Sequence, residues 1–130
     1  MFSKLLLAAA FTTALTSAAP MRANITFPFR AGSTTVAAGE YEVTRMENAT
    51  PVFSLRDNKT GRGVFVMAQY ASAPAKGEAR PRLVFSCNST VCGLTEIWIG
   101  TGSSFVTHPR YTRGEQERMV TVYLDKVAGE

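Results

Sequence analysis

Apolar and polar positions alternate along most of this chain, and the period is two. Ile25, Phe27 and Phe29 alternate with polar or turn residues, and Pro28 between them marks an edge or first strand. Ala31-Gly-Ser33 turns the chain, and Tyr41 to Met46 alternates again after Gly39. Val52 to Arg56 reads as a strand. Asp57-Asn-Lys-Thr-Gly61 follows as a hairpin turn, with Gly61 free to take positive φ. Val64 to Tyr70 is apolar at nearly every position, so it predicts a central strand covered on both faces, with Phe65 and Met67 in the core. Ala71 to Pro81 is a loop rich in Ala, Pro, Lys and Gly, and Gly100 to Ser104 is a second loop. Val120, Val122 and Leu124 close the chain with a last alternating strand. A helical signal is confined to Thr112-x-x-Glu115, a capping box for one short helix over 112–119. The pattern predicts an all-β domain, an antiparallel sandwich or small barrel of about seven to eight strands.

The segment Leu83 to Trp98 is the most specific part of that pattern. Strand formers flank Asn88-Ser-Thr-Val91, which is polar turn material. With Ser89-Thr90 at the tip, Asn88 faces Val91, Cys87 faces Cys92 and Phe85 faces Leu94. Cys87 and Cys92 then form a non-hydrogen-bonded pair, the closer kind, within the Cα window of roughly 4.4–6.8 Å for a disulfide. Two cysteines and one histidine do not supply the four ligands of a structural zinc site. The spacing is also longer than the Cys-x-x-Cys of a redox pair. Carried onward without interruption, the register sets Leu83 opposite Glu96 and places Glu96 and Trp98 on the apolar face. A carboxylate turned into a core must be paired or protonated. Arg45, which shares a face with Tyr41 and Val43, is the expected partner, with Arg30 and Arg56 as the other candidates. Glu96, Trp98 and Arg45 are therefore the candidate binding residues, either as a structural ion pair or as the wall of a pocket under Trp98.

The N-terminus sets the compartment. Lys4 precedes a charge-free run of Leu, Ala, Phe and small residues to Ala19, which reads as a secretory signal over 1–18 cleaved after Ala18. The run is shorter than the roughly 20 residues of a spanning helix, and no later segment is long enough. Residues 19–130 then form one secreted or periplasmic β-domain without a transmembrane segment. An oxidising compartment makes Cys87–Cys92 a disulfide. Loss of Lys4 lowers the net charge of +4 by one, and the arginines are scattered except for Arg110, Arg113 and Arg118. Nucleic-acid binding asks for a denser basic face, so no nucleic-acid partner is expected. All four asparagines, Asn24, Asn48, Asn58 and Asn88, lie in Asn-x-Ser/Thr sequons and would be glycan acceptors in a eukaryotic secretory pathway.

Phe27-Pro-Phe29, Ala38-Gly-Glu-Tyr-Glu-Val43, Leu83-Val-Phe85 and Leu94-Thr-Glu-Ile-Trp98 together resemble the pattern of a group of small exported bacterial β-proteins. This chain has Ala37 where that group often has proline, and a cysteine-bridged hairpin tip where the group usually has none. The resemblance implies export and a β fold, and no activity; a bacterial source argues against glycosylation. No catalytic set assembles: His108 is the only histidine, reads as an exposed loop residue, and has no Gly-x-Ser-x-Gly elbow with it. No cofactor or metal site is expected. Tyr111 and its neighbouring arginines read as a solvated face. Two functions remain. One is a non-catalytic interaction module whose partner is another protein or an envelope component. The other is a calycin-like barrel holding a small ligand near Trp98 and Glu96.

Overall fold

The computed structural model describes residues 20–46, 51–71, 80–100, 104–108 and 117–127. The expected signal segment over 1–18, Asn48 and most of the 71–81 loop lie outside them, as do residues 109–116 with Arg110, Tyr111, Arg113 and most of the expected helix. The described residues contain twelve strands. They are β1 (Met21–Ile25), β2 (Phe29–Ala31), β3 (Thr34–Val36), β4 (Gly39–Met46), β5 (Val52–Asp57) and β6 (Gly63–Met67). Then follow β7 (Gln69–Tyr70), β8 (Arg82–Cys87), β9 (Cys92–Trp98), β10 (Ser104–Val106), β11 (Arg118–Tyr123) and β12 (Asp125–Lys126). Arg118 and Met119, assigned to the end of a helix by the capping box, belong instead to β11. No helix among the described residues is long and apolar enough to cross a membrane.

The strands form two curled sheets, an all-β half-barrel. The first has the order β12-β1-β4-β5-β6; the second has β11-β8-β9-β10-β7, with the β2–β3 hairpin joined to β9 by a parallel bridge at Arg30 and Gly93. Apart from that bridge, all pairings are antiparallel. The strand count exceeds the sequence expectation in part because the chain changes sheets inside what read as single strands. Ala68 separates β6 from β7, and Leu124 separates β11 from β12, each pair divided between the two sheets. Both crossing residues are buried. Each donates its N–H to the carbonyl of a proline, Ala68 to Pro51 and Leu124 to Pro81, at 3.0 Å. A sheet corner is thereby made without an unpaired buried amide.

Val64 to Tyr70 is thus not a doubly covered central strand. β6 is the edge of the first sheet, and β7 is the edge of the second. Phe65 and Met67, expected in the core, are 67% and 69% exposed. Only Val66 and Ala68 of this run are buried, because alternation turns the odd positions outward. The turn predictions hold: Gly32 and Gly61 take φ of 65° and 75°, and the Asp57 carboxylate accepts the Lys59 and Thr60 N–H groups at 2.7 and 3.0 Å. Those two bonds hold the Asp57 carboxyl below the usual aspartate range.

Side chains from both sheets fill the space between them. Phe29, Phe53, Phe85, Phe105, Leu55, Leu83, Leu94 and Ile97 are essentially inaccessible. Their rings meet edge-on, Phe53 with Phe105 at 5.0 Å between centroids and Phe29 with Phe85 at 5.2 Å, the arrangement the ring quadrupoles favour. Tyr41 is buried at the margin and donates its hydroxyl to the Ala37 carbonyl at 2.6 Å. Burial, with the Asp57 charge second, raises its pKa, so the phenol stays neutral.

Candidate functional site

The β8–β9 hairpin begins in the expected register. Cys87 pairs with Cys92 and Phe85 with Leu94, and the Asn88 N–H donates to Val91 O at 2.9 Å beside the Ser89-Thr90 tip. The two sulfurs are bonded, and the Cα atoms stand 3.9 Å apart, closer than the window that the spacing predicted. Asn88 Oδ1 accepts from the Thr90 and Val91 N–H groups at 2.8 and 2.9 Å, which supplies the turn geometry that Ser-Thr does not favour by itself.

Beyond Leu94 the register slips. A β-bulge makes Thr95 the extra residue, so that Val84 faces Glu96, Leu83 faces Ile97 and Arg82 faces Trp98. The bulge is held on both sides: Thr95 Oγ1 donates to Val84 O at 3.1 Å, and the Thr107 N–H donates to Thr95 O at 2.9 Å. Thr107 Oγ1 also donates to Leu94 O. Its effect is to bury Leu94 and Ile97 together, although they are three residues apart and strict alternation would expose one of them.

The inward placement of Glu96 is therefore overturned. Glu96 and Trp98 both lie on the outer face of the second sheet, half-buried, and the indole N–H donates to Glu96 Oε1 at 2.9 Å. Arg45 is not their partner. It does share the inward-facing row of β4 with Tyr41 and Val43, but it ends over Phe105 at 5.0 Å from the ring centroid and donates to the Tyr70 hydroxyl at 2.7 Å. Arg45 also borders a small apolar cavity of about 100 Å³ with Met21, Val43, Phe53, Ile99, Leu124 and Lys126.

The hairpin instead brings Glu96 and Trp98 to residues that the alternation pattern did not single out. Antiparallel pairing aligns Tyr123, Arg82 and Trp98 across β11, β8 and β9. The Arg82 guanidinium lies over the Trp98 ring at 4.1 Å, and the Arg80 guanidinium over the Tyr123 ring at 4.0 Å. Arg82 Nη1 donates to the Arg80 carbonyl at 3.1 Å, which couples the two stacked pairs. Arg80, Tyr123, Arg82, Trp98 and Glu96 thus form a continuous row of cation, ring, cation, ring and carboxylate. Each cation–ring contact is worth about 0.5–1 kcal/mol at an exposed site. One signal for this row was present in the sequence: Leu94 and Ile97 cannot both be buried without a bulge, and a bulge there puts Trp98 opposite Arg82.

The other candidates are dispersed. His108 is exposed, as expected of a loop residue, and Asn24 and Asn58 are exposed in β1 and in the β5–β6 turn. Two open grooves flank the free edge of β6. One of about 390 Å³ runs past Thr34–Ala37, Tyr41, Asp57 and Gly63; the other, about 670 Å³, runs past Ala31–Thr34, Phe65–Gln69 and Val106–His108. Asp57 is the carboxylate of the first, and its hydrogen bonds are those of a turn. No protein-family model matches this chain, and neither a curated protein nor a solved structure matches it.

Proposed function

We propose that this protein is an exported, non-catalytic interaction module, and that the Arg80–Tyr123–Arg82–Trp98–Glu96 row is its contact surface. The observation that carries the reading is the row itself. Two guanidinium groups are held over aromatic rings on a sheet face, with a carboxylate hydrogen-bonded to one of the rings. Aromatic rings suit the C–H surfaces of sugars, and a guanidinium held over a ring suits carboxylate or phosphate. The partner chemistry that fits is an acidic, hydroxyl-rich polymer of the cell envelope. Export rests on the signal segment and on the disulfide, which an oxidising compartment keeps. The calycin-like alternative is less well supported. Phenylalanine rings occupy the space between the sheets, the cavity beside Arg45, at about 100 Å³, falls short of the roughly 300–1,000 Å³ of small-molecule sites, and the two larger grooves are open ones lined by neither Trp98 nor Glu96.

Trp98 is the only tryptophan and reports on the row directly. Its emission is expected to change on titration with an acidic polysaccharide such as polygalacturonate, and not with dextran. The response should weaken with added salt and disappear in the Arg80→Gln/Arg82→Gln variant. An unchanged emission with acidic polymers, or an equal response in the double variant, refutes the assignment.

A further inference from the structure

The inner face of the first sheet carries two cations at one end. Antiparallel pairing aligns Lys126, Met21, Val43 and Leu55 across β12, β1, β4 and β5. It aligns Arg45, Phe53 and Val66 across β4, β5 and β6. Val43, Leu55, Phe53 and Val66 are buried, so both rows point between the sheets. Register therefore places Lys126 and Arg45 where a sheet ordinarily presents apolar side chains to its core.

Both cations border the small cavity whose remaining walls are Met21, Val43, Phe53, Ile99 and Leu124. Val43, Phe53 and Leu124 are buried, Arg45 is half-buried and Lys126 is exposed. The cavity thus has an apolar base and reaches solvent on the side of Lys126. Close packing leaves few voids of this kind in a protein interior. Among the described residues no carboxylate lines the cavity, and neither cation is in an ion pair. Arg45 gives an N–H to the Tyr70 hydroxyl and lies over the Phe105 ring, contacts that hold it without neutralising its charge.

From these observations we propose that the cavity binds a short-chain monocarboxylate, with the tail against Val43, Phe53 and Leu124 and the carboxylate held by Arg45 and Lys126. The charge of the ligand follows from the cations: an ammonium would meet like charge, and a neutral molecule would leave both without a partner. Its size follows from the volume. An apolar cavity of roughly 150 Å³ takes up benzene, so about 100 Å³ suits a tail of about three or four carbons. The site shares no residue with the Arg80–Glu96 row and does not rest on that reading.

Methyl spectra of the carbon-13-labelled protein, titrated with sodium butyrate at constant ionic strength, test the proposal. The Met21, Val43, Ile99 and Leu124 methyl signals should shift together and saturate, with a dissociation constant on the order of millimolar for so small a ligand. Each methylene from acetate through propionate to butyrate should tighten binding about fourfold, and the gain should end once the tail outgrows the cavity. Butylamine and 1-butanol, of matching length, should produce no saturable shift. Lys126→Gln, at an exposed position that leaves the fold intact, should weaken butyrate at least threefold, and Arg45→Gln/Lys126→Gln should abolish the response. Should that double variant fail to fold, Lys126→Gln alone decides. No shift at the four methyls, an equal response to 1-butanol, or unchanged affinity in Lys126→Gln overturns the proposal.

Discussion

Deleting Thr95 tests the bulge, and with it the whole candidate surface. With Thr95 as the extra residue, its removal heals the β8–β9 ladder: Leu94 stays opposite Phe85, Glu96 opposite Val84 and Ile97 opposite Leu83. Every side chain keeps its face. The losses are the Thr95 Oγ1–Val84 O bond and the Thr107 N–H–Thr95 O bond. At about 0.5–1.5 kcal/mol net for each, the deletion should cost roughly 1–3 kcal/mol. An unbulged strand would behave differently. Removing one residue would then turn Glu96, Ile97 and Trp98 to opposite faces. It would expose a side chain whose burial contributes about 1.5–3 kcal/mol and add the cost of reorganising the rest of the strand. Urea unfolding with the disulfide intact, followed by Trp98 emission, distinguishes the two. A folded variant with a native-like emission maximum and a loss of 1–3 kcal/mol is expected. A loss above about 5 kcal/mol, or an unfolded chain, refutes the placement of Glu96 and Trp98 on the outer face. As a companion, Glu96→Gln keeps an acceptor for the indole N–H and should stay within about 0.5 kcal/mol of the parent.

Phe53→Ala, at a fully buried ring against Phe105, should cost about 3–5 kcal/mol, whereas Phe65→Ser should stay within about 0.5 kcal/mol; chemical denaturation measures both. Replacing Cys87 and Cys92 together by alanine, which puts no hydroxyl at the buried Cys87 position, should lower stability by less than about 3 kcal/mol, since the closed loop is short; a larger loss in thermal or urea melts would mean that the cysteines do more than hold the hairpin tip. Asp57 has its folded pKa below the ordinary 3.8, so its stabilising contribution is present above that value and is lost as the pH falls through the folded value. Asp57→Asn should therefore melt below the parent at pH 7, with the gap closing in acid; a gap independent of pH would rule out the charge as its cause.

What the sequence made legible divides at points where strict alternation ends. The β fold, the Asp57–Gly61 turn and the first half of the cysteine hairpin follow from strand formers, glycines and spacing, and the structure has them. Three features were hidden. The crossings at Ala68 and Leu124 leave no break in hydrophobicity, because the crossing residue is itself buried. Continuous apolarity in Val64 to Tyr70 consequently looked like burial on both faces, when it comes from one edge strand with an outward apolar row and a second short strand in the other sheet. The bulge at Thr95 shifts the face of everything after it, so a correct register at Cys87 and Phe85 gave an incorrect one at Glu96.

The same bulge explains why Arg45 and Glu96 were wrongly paired in expectation and why each still has a physical role. Arg45 is carried inward on β4 and ends on Phe105 and the Tyr70 hydroxyl, so its charge is met by aromatic rings and a phenol instead of a carboxylate. Glu96, turned outward, meets an indole N–H beside a stacked guanidinium. A bulge that buries Leu94 and Ile97 on one face must present Glu96 and Trp98 on the other. The packing of the core and the composition of the outer row are therefore set by one inserted residue, and neither can be altered at Thr95 without testing the other.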